Sequence, residues 1–163
     1  MTDAFRWRTG ADLAAMNAGG IREKIPAGNV TEGDVMSVFP FGNQLQVVEI
    51  DGKTIRAMLE HSVSQYPDPF AGFLQVSGIR FNFDPRRNFG NRIGDIYINN
   101  KPVGDSDVYT MAAVDFILDG GDGFDCLKVL QVIGKFGTLE EVLGDYINEV
   151  GIKNISAGRI FSK

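Results

Sequence analysis

The stretch DVYTMAAVDFILDGGDGFD, residues 107–125, reads as one long strand, Asp107 to Leu118, that breaks on glycines. Asp119-Gly120-Gly121-Asp122-Gly123 ends it, and three glycines in four positions lose much conformational freedom on folding. A chain tolerates that loss where it needs a particular backbone shape. Asp122 is presented between glycines on a tight loop, where its carboxylate can accept hydrogen bonds from sugar hydroxyls. The same residues also fit a plain tight turn with a solvated aspartate. A calcium loop fits poorly despite the four aspartates of residues 115–125, because their spacing lacks the alternation of an EF-hand loop and no glutamate closes it.

Working outward, Leu139 to Val150 reads as a helix with Leu139, Val142, Leu143, Tyr146, Ile147 and Val150 on one stripe. Thr138 with Glu141 forms a capping-box pattern, Gly151 suits the C-terminal cap, and Gly158 to Phe161 reads as a final short strand. Upstream, Arg92 to Val103 reads as a hairpin turning at Asn99-Asn100, and Leu74 to Asp84 as an alternating extended segment. Thr54 to Gln65 has helical spacing and is stopped by Pro67 and Pro69. Asp34 to Phe41 and Gln44 to Ile50 read as extended, with a turn at Gly42-Asn43. Asp12 to Met16 reads as a short buried strand, and Asp3 to Arg8 as the end of a helix whose beginning lies upstream. Strands mixed with two or three packed helices, in no strict alternation, predict a single compact α+β domain over residues 1–163.

The 163 residues carry a formal charge of −5 and no dense Lys/Arg stripe, which argues against a nucleic-acid backbone as partner. No apolar run approaches the roughly 18 residues of a membrane span, and no charged-then-apolar leader opens the sequence. Cys126 is the only cysteine and reads as a small buried hydrophobe. His61, the only histidine, reads as structural or surface-exposed. One histidine and one cysteine cannot build a histidine-rich catalytic metal site, so no metal ligand and no cofactor is expected in this chain.

Two further segments could face a ligand. In Asn17-Ala18-Gly19-Gly20-Ile21-Arg22 the glycines, Gly20 included, let the backbone turn sharply and are expected to expose N–H groups. Arg22 then offers a planar fork for phosphate or carboxylate. A glycine turn followed by a surface arginine has the same local pattern. In Phe39-Pro40-Phe41-Gly42-Asn43 a proline and a glycine hold an aromatic at a bend, where it can stack on a flat ligand or simply belong to the core.

At these segments the sequence resembles the C-terminal domain of the 5′-nucleotidase family, which includes periplasmic UDP-sugar hydrolases and ecto-5′-nucleotidases. NAGGIR (17–22), FPFGNQL (39–45), IRAMLEHSV (55–63), FLQVSGIRFNFD (73–84) and GGDGF (120–124) carry the resemblance, in the family's order, over most of the chain. It implies that Phe41 and Phe116 sandwich a base, Asn17 hydrogen-bonds at or near the base, Asp122 takes the ribose hydroxyls and Arg22 faces the phosphate. The family places one or two further arginines upstream of NAGGIR, and Arg6 and Arg8 lie too close to that segment to match them. The resemblance also implies a partner N-terminal metallophosphatase domain of the same polypeptide, with two divalent metal ions and a catalytic histidine. By itself this domain is then a non-catalytic binder of a nucleotide or nucleoside, in a protein expected to be periplasmic or extracellular. A stand-alone binding module and a fragment of a related thiohydrolase are the competing expectations.

Overall fold

In the computed structural model, residues 1–25, 27–152 and 158–163 are described. Along the chain these form α1 (Thr2–Thr9), β1 (Leu13–Asn17), α2 (Glu32–Val38), β2 (Gln44–Asp51), α3 (Gly52–Ser62), β3 (Leu74–Ser77), β4 (Ile79–Phe83) and β5 (Ile93–Ile98). Next come β6 (Lys101–Pro102), β7 (Val108–Val114), α4 (Asp115–Leu118), β8 (Val132–Thr138), α5 (Leu139–Val150) and β9 (Ile160–Ser162). The strands make two sheets, β3-β1-β7-β2-β8 and β6-β5-β4-β9. The α+β class holds, and α1, α3 and α5 are the helices of two turns or more among the described residues.

The alternating segment from Leu74 to Asp84 is two strands, one in each sheet, divided at Gly78. Gly78 has φ +76°, and a Cβ there would lie 2.2 Å from the Asp12 carbonyl oxygen, so only glycine lets the chain pass. Helix α3 touches β2 of one sheet and β5 of the other. It buries Ile55, Met58 and Leu59, the apolar stripe read from the sequence. Asp51 caps it by accepting the Thr54 amide at 2.7 Å, so it starts two residues before the expected Thr54. The hairpin turns where expected, with Asn99 and Asn100 at φ +51° and +61°, a left-handed pair that asparagine tolerates. Helix α5 begins with the capping box of Thr138 and Glu141 and packs on α1, where Tyr146 meets Trp7 edge-on at 5.6 Å.

Two expectations need correction, and one strand was missed. Asp34 to Phe41 is not extended, because Thr31 and Asp34 cap each other reciprocally and start α2, which buries Val35 and Val38 three residues apart. The long strand ends at Val114 and not at Leu118, since Asp115 turns its carboxylate onto the Phe116 amide and opens α4. Strand β8 went unread because Gly134 and Gly137 interrupt its apolar alternation; backbone pairing to β2 secures it instead.

The topology decides what meets at one edge of the larger sheet. Strands β1 and β7 run parallel, so Asn17 and Val114 both emerge there. Strands β2 and β3 are antiparallel to these neighbours, in register Leu45↔Val114 and Leu74↔Asn17, so their first residues lie at the same edge. Loops before β2 and β3 and after β1 and β7 therefore converge, the usual place for a ligand to be held by loops on a rigid sheet.

Candidate functional site

A cleft of about 370 Å³ opens at this edge, lined by Met16, Asn17, Gly19, Gly20, Arg22, Phe41, Asn43, Ala71, Val114, Phe116 and Asp122. All six residues singled out from the sequence border it. Met16, Asn43, Ala71 and Val114 were not singled out, and Asn43 alone carried a signal, as a polar residue inside the bend after Phe41.

The rings of Phe41 and Phe116 are 60% and 42% exposed, unusual for a side chain whose transfer from water is strongly favourable. Phe41 sits on the bend after α2, followed by Gly42 at φ +65°. Phe116 lies on the first turn of α4, and Gly121 backs its ring so closely that a Cβ there would lie 2.5 Å from it. Two flat apolar faces are thus offered to solvent from two different loops. The Arg22 guanidinium lies 5.9 Å from the Phe41 ring centroid and donates to the Gly19 carbonyl at 3.2 Å.

The glycine pair serves packing more than amide display. The amides of Ala18 and Gly19 donate to Phe73 and Ala71 carbonyls at 2.9 and 2.8 Å, and those of Ile21 and Arg22 to Ala18 and Val38 carbonyls. Four amides of the expected row of exposed N–H groups, those of Ala18, Gly19, Ile21 and Arg22, are therefore engaged within the protein. What the glycines permit is close approach: a Cβ on Gly19 would lie 2.8 Å from the Ala71 methyl, and one on Gly20 would lie 2.8 Å from Met16 Cε.

Asp122 adopts a left-handed conformation, φ +53°, between Gly120 and Gly123 at φ +87° and +86°. Its Oδ2 accepts the side-chain amide of Asn17 at 2.7 Å across 105 residues of sequence. Asn17 is only 4% exposed, so this bond is held on a rigid, buried donor at the end of β1. His61 approaches the Asp122 carbonyl with Nε2 at 2.8 Å; a carbonyl only accepts, so Nε2 carries the proton. Edge contacts to Phe124 at 4.7 Å and Phe70 at 5.4 Å fix the imidazole. The structural role expected of His61 is thus to hold the loop that presents Asp122. Cys126 is half-buried, and desolvation pushes its thiol above the usual value, against a reactive thiolate.

A larger hollow, about 640 Å³, lies behind the segment carrying Arg22 and is lined by Ile21, Ile25, Val38, Phe39, Leu143 and Tyr146 among others. Asp3 and Glu23 also border it, in a mostly aliphatic lining; the smaller cleft combines flat apolar faces, a carboxylate anchored on a buried asparagine and a cation. Among the described residues, no group of three or more His, Cys, Asp or Glu is placed to hold a metal ion, and no helix is long and apolar enough to cross a membrane.

The sequence matches the family model described as 5′-nucleotidase, C-terminal domain, over residues 1–129. It is 38% identical over 151 residues to the trifunctional nucleotide phosphoesterase YfkN of Bacillus subtilis, covering 88% of this chain and 10% of that protein. The crystal structure of a 5′-nucleotidase precursor from Thermus thermophilus superposes with a TM-score of 0.91 at 37% identity, over 99% of this chain and 34% of that one. A sulfate thiohydrolase from the same organism shares the fold alone, with a TM-score of 0.77 at 18% identity, over 98% of this chain and 30% of that one. The chain therefore spans about a third or less of these relatives' length.

Proposed function

This chain belongs to the 5′-nucleotidase C-terminal domain family, and on that premise we propose that it is the nucleotide-binding domain of a metal-dependent 5′-nucleotidase. The base lies between Phe41 and Phe116, the ribose hydroxyls meet Asp122, Asn17 braces that carboxylate, and the phosphate faces Arg22. Gly20 keeps the wall beside Asn17 low enough for the ligand to approach. The cleft supports this assignment through one observation above all: six residues from three distant segments border one cleft, with exposed rings, an anchored carboxylate and an arginine side by side. Stacking on each ring is worth about 1–3 kcal/mol and tolerates any base, which suits hydrolysis of several nucleoside 5′-phosphates. UDP-sugars and cyclic nucleotides present the same base and ribose.

The residues of this chain do not fit a hydrolytic di-metal centre, since it has one histidine, and no acidic or histidine group is assembled among the described residues. Two divalent metal ions are assigned to an N-terminal metallophosphatase domain of the same polypeptide, and a periplasmic or extracellular location goes with that assignment. Two measurements test the proposal. Adenosine titrated into the ¹⁵N-labelled chain shifts resonances around the cleft, and Phe116→Ala loses that binding; unchanged affinity in the variant sinks the stacking role. The pure chain releases no phosphate from AMP, with or without added divalent metal, and clear turnover overturns its assignment as a binding domain.

A further inference from the structure

We infer that Asp115 is a positioning residue that sets the gap between the two exposed rings, an inference that rests on the base-stacking role proposed for Phe41 and Phe116. The pairing of β2 with β7 ends at Leu45↔Val114, four residues from Phe41 and two from Phe116. Beyond that point one carboxylate takes over. Asp115 Oδ2 accepts the Gln44 amide at 3.0 Å, and Oδ1 accepts the Asn43 side-chain amide at 2.9 Å and the Phe116 amide at 2.7 Å. Asn43 lies two residues after Phe41, across Gly42, and Phe116 directly follows Asp115. The clamp therefore joins the two ring-bearing bends across 72 residues of sequence.

Burial cannot do this job. Rings left 60% and 42% exposed have few core contacts to locate them, so their separation follows from how their backbones are held. Gly42, in the left-handed region, offers little local stiffness of its own. A carboxylate accepting three N–H bonds has both oxygens engaged, and hydrogen bonds to a charged acceptor are the stronger kind. Rings held apart at a preset gap lose less freedom when a flat base enters, so the clamp acts on affinity through preorganisation.

The test compares Asp115→Ala, Asn43→Ala, Phe41→Ala and Phe116→Ala with the unmodified chain in adenosine titrations followed by ¹H NMR. Affinity and the upfield shift of the bound adenine protons at saturation are read together. Asp115→Ala is expected to bind about tenfold more weakly, with a smaller bound-state shift, while its far-UV circular dichroism is unchanged. The shift reports stacking geometry, which a residue contributing stability alone leaves unmoved. If Asp115→Ala does not fold, Asn43→Ala, which removes only the side-chain arm, carries the same comparison. Unmodified affinity and shift in the clamp variants, with binding lost in Phe116→Ala, overturn the clamp and leave the stacking role standing. Unmodified binding in both phenylalanine variants overturns the stacking role, and the inference falls with it.

Discussion

Replacing Asp122 by Asn should weaken adenosine binding about tenfold and leave 2′,3′-dideoxyadenosine binding within twofold of the original. The size follows from the geometry. Asp122 Oδ2 already accepts the Asn17 amide at 2.7 Å, while no hydrogen bond from a described residue reaches Oδ1, so about one oxygen is free for the sugar. A hydrogen bond to a charged acceptor contributes about 1.5–3 kcal/mol and a neutral one about 0.5–1.5. Asn at this position keeps its carbonyl oxygen toward Asn17 and turns its amide to the cleft, exchanging a charged bond for a neutral one. The difference of about 1.4 kcal/mol is a factor of ten. Asn also tolerates the left-handed φ of +53°, so the loop keeps its shape; alanine there would add about 1–2 kcal/mol of strain. Isothermal titration of both nucleosides into both proteins gives a four-way comparison in which only the carboxylate–hydroxyl term survives. If the substitution weakens the dideoxy compound as much as adenosine, Asp122 acts through loop shape and the ribose contact is wrong. If neither ligand is affected, the carboxylate does not face the sugar.

Glu60 is 6% exposed and accepts three backbone amides, Ile93 at 2.7 Å, Arg92 at 3.1 Å and Gly90 at 3.2 Å. Glu60→Ala should therefore lower stability by about 3 kcal/mol and Tm by roughly 6–12 °C, and Glu60→Gln by roughly half as much; a loss below about 1 kcal/mol for the alanine variant in urea denaturation refutes this. Gly121→Ala places a methyl carbon 2.5 Å from the Phe116 ring, which is free to swing into the cleft. Adenosine affinity should fall at least about fivefold with Tm almost unchanged, measured by titration and thermal melts. The Arg86 guanidinium beside Asp84 holds that carboxyl at about 2, below its ordinary 3.8. A depressed carboxylate stabilises the fold above its unfolded value and loses that contribution as pH falls through the folded value, here from about 4 to about 2. Carboxyl ¹³C titration should show Asp84 titrating near pH 2, and higher in Arg86→Ala, where the residue-86 backbone amide and Arg87 still lower it; equal values in both proteins refute the pairing.

Much of the fold was legible because local chemistry and tertiary demand agree. The Thr138–Glu141 capping box, the Asn99-Asn100 turn and the apolar stripe of α3 each act within a few residues, so their patterns survive in one dimension. Where reading failed, two local signals competed or a distant strand decided. The run from Asp34 to Phe41 has enough apolar residues for a strand, but the Thr31–Asp34 cap commits it to a helix. Strand β8 has glycines that weaken any local preference, and its pairing partner β2 lies more than eighty residues away. Asp115 read as part of a strand, because two of its three hydrogen-bond donors, the Asn43 side chain and the Gln44 amide, are invisible until that bend is folded against it.

The sequence by itself determined the chemical inventory: one histidine, one cysteine, the glycine-flanked Asp122, the arginine after a glycine pair and the bend around Phe41. Those are properties of residue type and near neighbours. Only the tertiary structure decided that they belong together. Parallel pairing of β1 with β7, and antiparallel pairing of β2 and β3 beside them, sends the ends carrying Asn17, Asp122, Phe41 and Phe116 to one edge of one sheet. That juxtaposition joins residues as far apart as 105 positions, and strand order rather than local propensity sets it, because hydrogen-bonded register is the interaction that fixes distant backbone ends relative to one another.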